Sequence, residues 1–216
     1  CSPVGPYFKT SGFAPVKLLA EDTFVRAWPG GTGEYKIGSN YGPTILPQKL
    51  ASARGFQQIL WLLGPEQQIT EVGSMNCFIL LKNSKTHQLE LVTPPITDGT
   101  ILPGVTRDSI LELTRSWNEF EVSERPICMA EFIEAHRQGR IVEMFGSGTA
   151  AIVSPIKCIN FKGLDYQIPL DPSNPSKQSG PLTERLFNLI SQIQVKYKYK
   201  CIYTNNFYFI FIVRTC

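Results

Sequence analysis

The sequence predicts a mixed α/β fold, and two observations carry the prediction. Short apolar runs bounded by glycine, proline or polar clusters recur at residues 58–63, 77–82 and 89–92, as strands do. Amphipathic stretches lie between and after them. Residues 106–117 place Ile110, Leu113 and Trp117 at helical spacing, and residues 129–138 and 182–193 repeat the pattern. Strands and helices that interleave in this way build a layered domain around one core.

Taken in order, the chain opens with Ser2-Pro3-Val4-Gly5-Pro6-Tyr7-Phe8, and turn formers continue to Pro15. Residues 1–14 therefore read as a connector and residues 15–194 as the domain proper. From residue 195 the character changes. Seven of the 24 aromatics fall in the last 22 residues, and that tail contains no acid. It reads either as a terminal strand or as an aggregation-prone addition foreign to the domain.

Composition removes several classes of function. With 43% hydrophobic and 18% charged residues the chain reads as globular, and no apolar run approaches the roughly 18 residues of a membrane span. The net charge of +3 is a property of the tail, whose Lys196, Lys198, Lys200 and Arg214 account for it. The body without them is near neutral, so no basic groove for nucleic acid is expected. The six cysteines are scattered with no C-x-x-C pair, and His87 and His136 lie far apart. Reduced thiols in an intracellular protein are expected, with neither a zinc site nor a disulfide framework.

Four short segments carry chemistry. In Gly30-Gly31-Thr32-Gly33-Glu34-Tyr35-Lys36-Ile37-Gly38-Ser39-Asn40-Tyr41, glycines flank a single lysine, so the backbone can approach a ligand closely. A lysine in such a setting can attack a carbonyl, although a surface turn has the same appearance. Gln68-Ile69-Thr70-Glu71-Val72-Gly73-Ser74-Met75-Asn76 sets a carboxylate between two strands, either as a solvated turn residue or as the partner of a protonated ring nitrogen. Leu102-Pro103-Gly104-Val105-Thr106-Arg107-Asp108 precedes a helix for which Thr106 is a plausible N-cap. That start is either simple capping or an anion site. Glu143-Met144-Phe145-Gly146-Ser147-Gly148-Thr149-Ala150-Ala151 offers small residues and a hydroxyl to an anion. One phosphorylated ring cofactor accounts for all four.

In order and spacing these segments, with residues 2–8 and 57–62, resemble the branched-chain amino acid aminotransferases among the fold-type IV pyridoxal-phosphate enzymes. The resemblance covers roughly residues 1–194. It implies the large cofactor-binding domain of that fold, with the small N-terminal domain missing from this chain.

The resemblance further implies that Lys36 holds pyridoxal 5'-phosphate covalently and that Tyr41 bonds its phenolic oxygen. Glu71 would pair with the ring nitrogen, with Ser74 near the phenolic side. Val105 and Thr106, through backbone amides, and Thr149 would bind the phosphate. Tyr7, Thr149 and Ala150 would contact the substrate. The implied reaction moves the amino group of leucine, isoleucine or valine to 2-oxoglutarate, giving glutamate, in a homodimer of the cytosol or mitochondrion. An aminodeoxychorismate lyase of the same fold type, or an inactive truncated aminotransferase, are the alternatives. Ala151-Ile152-Val153-Ser154 stands where vertebrate members carry C-x-x-C, so thiol regulation of that kind is not expected.

Overall fold

The computed structural model describes residues 13–171, 173–174 and 176–196. All but the first two residues of the expected tail, and all but the last two of the expected connector (Tyr7 included), lie outside this range. In chain order the elements are β1 (Val16–Glu21), α1 (Gly38–Tyr41), α2 (Ile45–Ala53), β2 (Gln58–Leu63), β3 (Gln68–Val72), β4 (Met75–Lys82) and β5 (Leu89–Thr93). After them come α3 (Val105–Trp117), β6 (Glu121–Glu124), α4 (Met129–Arg137), β7 (Ile141–Gly148), β8 (Ile152–Phe161), β9 (Leu164–Gln167) and α5 (Pro181–Lys196).

Strand order runs β3-β2-β1-β8-β7-β4, and β4 pairs back with β3, so these strands close into a ring. β1 is parallel to both its neighbours, while the other pairs in the ring are antiparallel. β5 and β6 extend outward from β4, and β9 from β8.

The period-2 alternation of strand side chains sorts residues between the inside and the outside of the ring. Leu18, Leu60, Ile69, Cys77, Ile79, Ile156 and Ile159 share an inner core with Met129 and Phe132 of α4, which fills the ring. On the outside, Phe78, Leu80, Phe145 and Val153 meet Ile110 and Leu111 of α3 and Leu182, Leu186 and Ile190 of α5. Phe78 and Phe145 stack there, with centroids 5.1 Å apart. A smaller outer cluster joins Leu19, Ile59 and Trp61 to Ala51 of α2. Each such side chain contributes about 1.5–3 kcal/mol by leaving water.

The end of α5 nearest the ring is tied down by a buried carboxylate. Glu143 on β7 accepts from the Leu182 and Thr183 amides at 2.9 and 3.0 Å and from Thr183 Oγ1 at 2.9 Å. Negative charge at a helix N-terminus satisfies amides that lack partners within the helix.

The expected strands at 58–63, 77–82 and 89–92 appear as β2, β4 and β5, and all three expected helices form. Boundaries differ in places: β4 starts at Met75, α5 runs on to Lys196, two residues past the expected end of the domain, and the start of α3 moves. α3 begins at Val105 with Gly104 as its N-cap, and Thr106 is a buried second helical residue. Gly104 takes the cap because it is extended (φ −72°, ψ 134°), and a Cβ there would collide with Asn76 Oδ1. A side-chain cap at Thr106 has no room to operate.

Candidate active site

The lysine segment is a loop braced from within. The Gly31 amide bonds Trp28 O and the Tyr35 amide bonds Thr32 O, both at 3.0 Å. Buried Asn40 donates to the Thr32 and Tyr35 carbonyls at 2.5 and 2.6 Å and accepts from Thr32 Oγ1 at 2.7 Å. Lys36 stands exposed on this frame, two residues before α1. Gly33 lets the frame lie against the segment before α3, since a Cβ would sit 2.6 Å from both Ala27 Cβ and Thr100 O. Gly33→Ala is therefore expected to cost about 1–3 kcal/mol through overpacking. Urea denaturation checks this, and an unchanged midpoint would mean that the two segments separate freely.

Glu71 is the penultimate residue of β3 with only 2% of its surface exposed, so a carboxylate that local sequence could place in a solvated turn is buried. Its Oε2 pairs with Arg26 Nε at 2.7 Å, and its Oε1 accepts from the Leu102 amide at 2.9 Å. Burial pushes its pKa from 4.5 up to about 7. The Arg26 charge opposes that rise most strongly, followed by the Leu102 amide and the charge of Lys36. Arg26 also donates to Thr100 O at 2.9 Å and, more loosely, to Gly33 O at 3.4 and 3.5 Å. One guanidinium thus binds the lysine loop, the carboxylate and the approach to α3. Its five fixed donors suit a junction of three backbone segments.

At the start of α3 the first helical bond runs from the Asp108 amide to Gly104 O at 3.0 Å. The amides of Val105 and Thr106 precede it and have no partner within the helix. Beside them runs the end of β7, whose Ser147 opposes Asn76 of β4. Thr149 and Ala150 follow in the exposed turn between β7 and β8. Ser74 is exposed in the two-residue turn that joins Glu71's strand to Asn76's, where Gly73 has φ 59°.

Hydrogen bonds and strand pairing join most of the expected site, and Lys36 is linked to it only through the effect of its charge on Glu71. The charge of Lys36 acts on Glu71, Glu71 bonds Leu102, Leu102 leads into Val105 and Thr106, and Asn76 links that segment to β7 and its Thr149–Ala150 turn. Tyr41 closes α1, half-buried, and among the described residues no hydrogen bond joins its hydroxyl to this path. Arg26 was absent from the expected set. A usable signal existed, because Val25-Arg26-Ala27-Trp28 puts a lone charge among apolar residues, and a buried charge demands a partner.

Residues 12–159 match the pattern of the family described as amino-transferase class IV. The chain is 54% identical over 193 residues to the branched-chain-amino-acid aminotransferase of Dictyostelium discoideum, covering 89% of this chain and 49% of that protein. It is 53% identical to the cytosolic enzyme of that name from Saccharomyces cerevisiae, with 90% of this chain and 51% of the relative covered. Among solved structures, two of the Escherichia coli branched-chain amino acid aminotransferase are similar, with TM-scores of 0.68 and 0.63 at 25% and 27% identity. They cover 89% and 83% of this chain, and 55% and 52% of the solved chains. The chain spans about half the length of the curated relatives it matches.

Proposed function

Since the chain belongs to the class IV amino-transferase family, we propose that it carries the cofactor-binding part of a branched-chain amino acid aminotransferase. Residues 15–194 are assigned as the large domain, with α5 carrying its last helix on to Lys196, residues 1–14 as its connector, and the remainder of 195–216 as a tail outside the domain. The substrates are leucine, isoleucine and valine on one side and 2-oxoglutarate or glutamate on the other, as the relatives' names suggest for the branched-chain amino acids.

The observation that carries this reading is the buried carboxylate of Glu71, within reach of the Lys36 charge and bonded to the segment that opens α3. The residues present suit pyridoxal 5'-phosphate. A carboxylate offers about four acceptor positions, and Glu71 uses two, leaving capacity for a ring N–H. The amides at the start of α3, which have no partner among the described residues, suit a phosphate.

When bound, the cofactor supplies an electron sink for the electrons released at the substrate Cα. Lys36 would hold it covalently and would move the proton at the substrate Cα. Glu71 would keep the ring nitrogen protonated. Tyr41 and Ser74 would serve the phenolic oxygen, Val105, Thr106 and Thr149 would hold the phosphate, and Thr149, Ala150 and Tyr7 would bind the substrate.

The proposed assembly is a homodimer, and the surface supports it. Of the ten large exposed hydrophobic residues among those described, eight fall between Phe24 and Leu50, the segment that carries Lys36. Apolar surface so concentrated is normally covered by a partner. The relatives include cytosolic and mitochondrial enzymes, and an intracellular location in one of these two compartments is proposed.

The test uses the full-length protein with pyridoxal phosphate, leucine and 2-oxoglutarate. Glutamate and 4-methyl-2-oxopentanoate should form in equal amounts, and sedimentation of the same preparation should give twice the protomer mass. Absence of turnover with all three branched-chain substrates would refute the assignment.

A further inference from the structure

Glu71 and Asn76 are directly opposed on β3 and β4, so their side chains leave the same face of the sheet. Both reach Leu102. Glu71 Oε1 accepts from the Leu102 amide at 2.9 Å, and Asn76 Nδ2 donates to the Leu102 carbonyl at 2.8 Å. Both backbone polar groups of this residue are therefore held by two neighbours in one sheet. Two residues later, Gly104 caps α3, and Asn76 Oδ1 occupies the place where a Cβ would project.

On its other side Asn76 opposes Ser147, which points from the same face and is 1% exposed. Among the described residues the Ser147 hydroxyl has no hydrogen-bond partner. The row Glu71, Asn76, Ser147 thus crosses three strands beneath the start of α3, ending in polar capacity that the fold itself does not use.

We infer that Asn76 is a positioning residue for phosphate. By gripping the Leu102 carbonyl and packing under Gly104, it aims the Val105 and Thr106 amides and makes the site select a phosphorylated ligand. The inference rests on the assignment of the α3 N-terminus as the phosphate end of the site. A buried amide that served stability alone would affect every ligand of the domain equally.

The experiment compares pyridoxal phosphate with pyridoxal, which has the same ring and aldehyde without the phosphate. Dissociation constants are measured by absorbance titration of the full-length protein and of Asn76→Ala and Asn76→Leu. Leu keeps the shape and loses the donor without adding charge, so it answers the question if the alanine variant does not fold. Both variants should bind pyridoxal phosphate about tenfold more weakly, the loss of one buried hydrogen bond, and pyridoxal within about twofold of wild type. Equal weakening of the two ligands, or none, overturns the role of Asn76. A wild-type protein that binds both equally well instead overturns the phosphate assignment of α3.

Discussion

Replacing Lys36 with alanine is expected to lower amino transfer by about a thousandfold or more while leaving the fold intact. Lys36 is exposed on a loop whose bracing runs through Asn40, Thr32 and backbone atoms, so truncating it removes no internal support. On the proposed assignment its loss deletes both the covalent anchor and the group that moves the proton at the substrate Cα, and positioned proton transfer alone is worth about 10²–10⁴ in rate. Borohydride treatment followed by mass spectrometry separates this from a general weakening. Wild type should gain a fixed cofactor mass at the peptide containing residue 36, and Lys36→Ala should gain none at any lysine. A stable adduct elsewhere in the variant, with activity retained, would remove Lys36 from the mechanism.

Arg26→Met should destabilise the protein by about 3–5 kcal/mol near pH 8, the usual cost of leaving one member of a buried ion pair alone. Arg26 and Glu71 are both 2% exposed at their side chains and 2.7 Å apart, so solvent offers little relief. The deficit should depend on pH in a defined direction. Burial raises Glu71 from 4.5 to about 7, so the folded chain holds this proton more tightly than the unfolded chain. A carboxyl raised in this way contributes most to stability below its unfolded value, and that contribution is lost as pH rises through its folded value. At pH 5 Glu71 carries a proton in wild type and variant alike, and Arg26 has no anion to balance. The gap between them should therefore narrow at pH 5 and be widest at pH 8. Urea midpoints at the two pH values decide, and equal gaps would mean that Arg26 supports the fold through its bonds to Thr100 and Gly33 rather than through Glu71.

The parts of this architecture legible from sequence were those whose signals are local. β2, β4 and β5 are near-continuous apolar runs with polar ends, and α3, α4 and α5 repeat at helical spacing. The short edge strands β6 and β9 carry exposed or half-buried residues and no apolar run, so nothing in Glu121–Glu124 or Leu164–Gln167 announces a strand. Closure of the ring is likewise invisible, because it rests on a two-residue turn at Gly73–Ser74 and on β1 meeting β8 from far along the chain. In the site, residues within glycine-rich segments were identifiable because small residues and a lone functional group stand out. Arg26 and Asn76 have partners 45 and 26 positions away; the apolar neighbours of Arg26 hint that it needs a partner without saying which, and nothing local marks Asn76.

That long reach between β1 and β8 has a consequence for synthesis. β1 is made first, yet its partner on one side, β8, emerges about 140 residues later. At an elongation rate of about 5–20 residues per second, the interval lasts roughly 7–30 seconds. Throughout it β1 and β2 present a bare parallel edge bearing Leu18, Leu19, Ile59 and Leu60, while the β3–β4 hairpin can form at once from neighbouring residues. Until β8 is made the ring cannot shut, so β1 keeps an unpaired strand edge for most of the chain's synthesis.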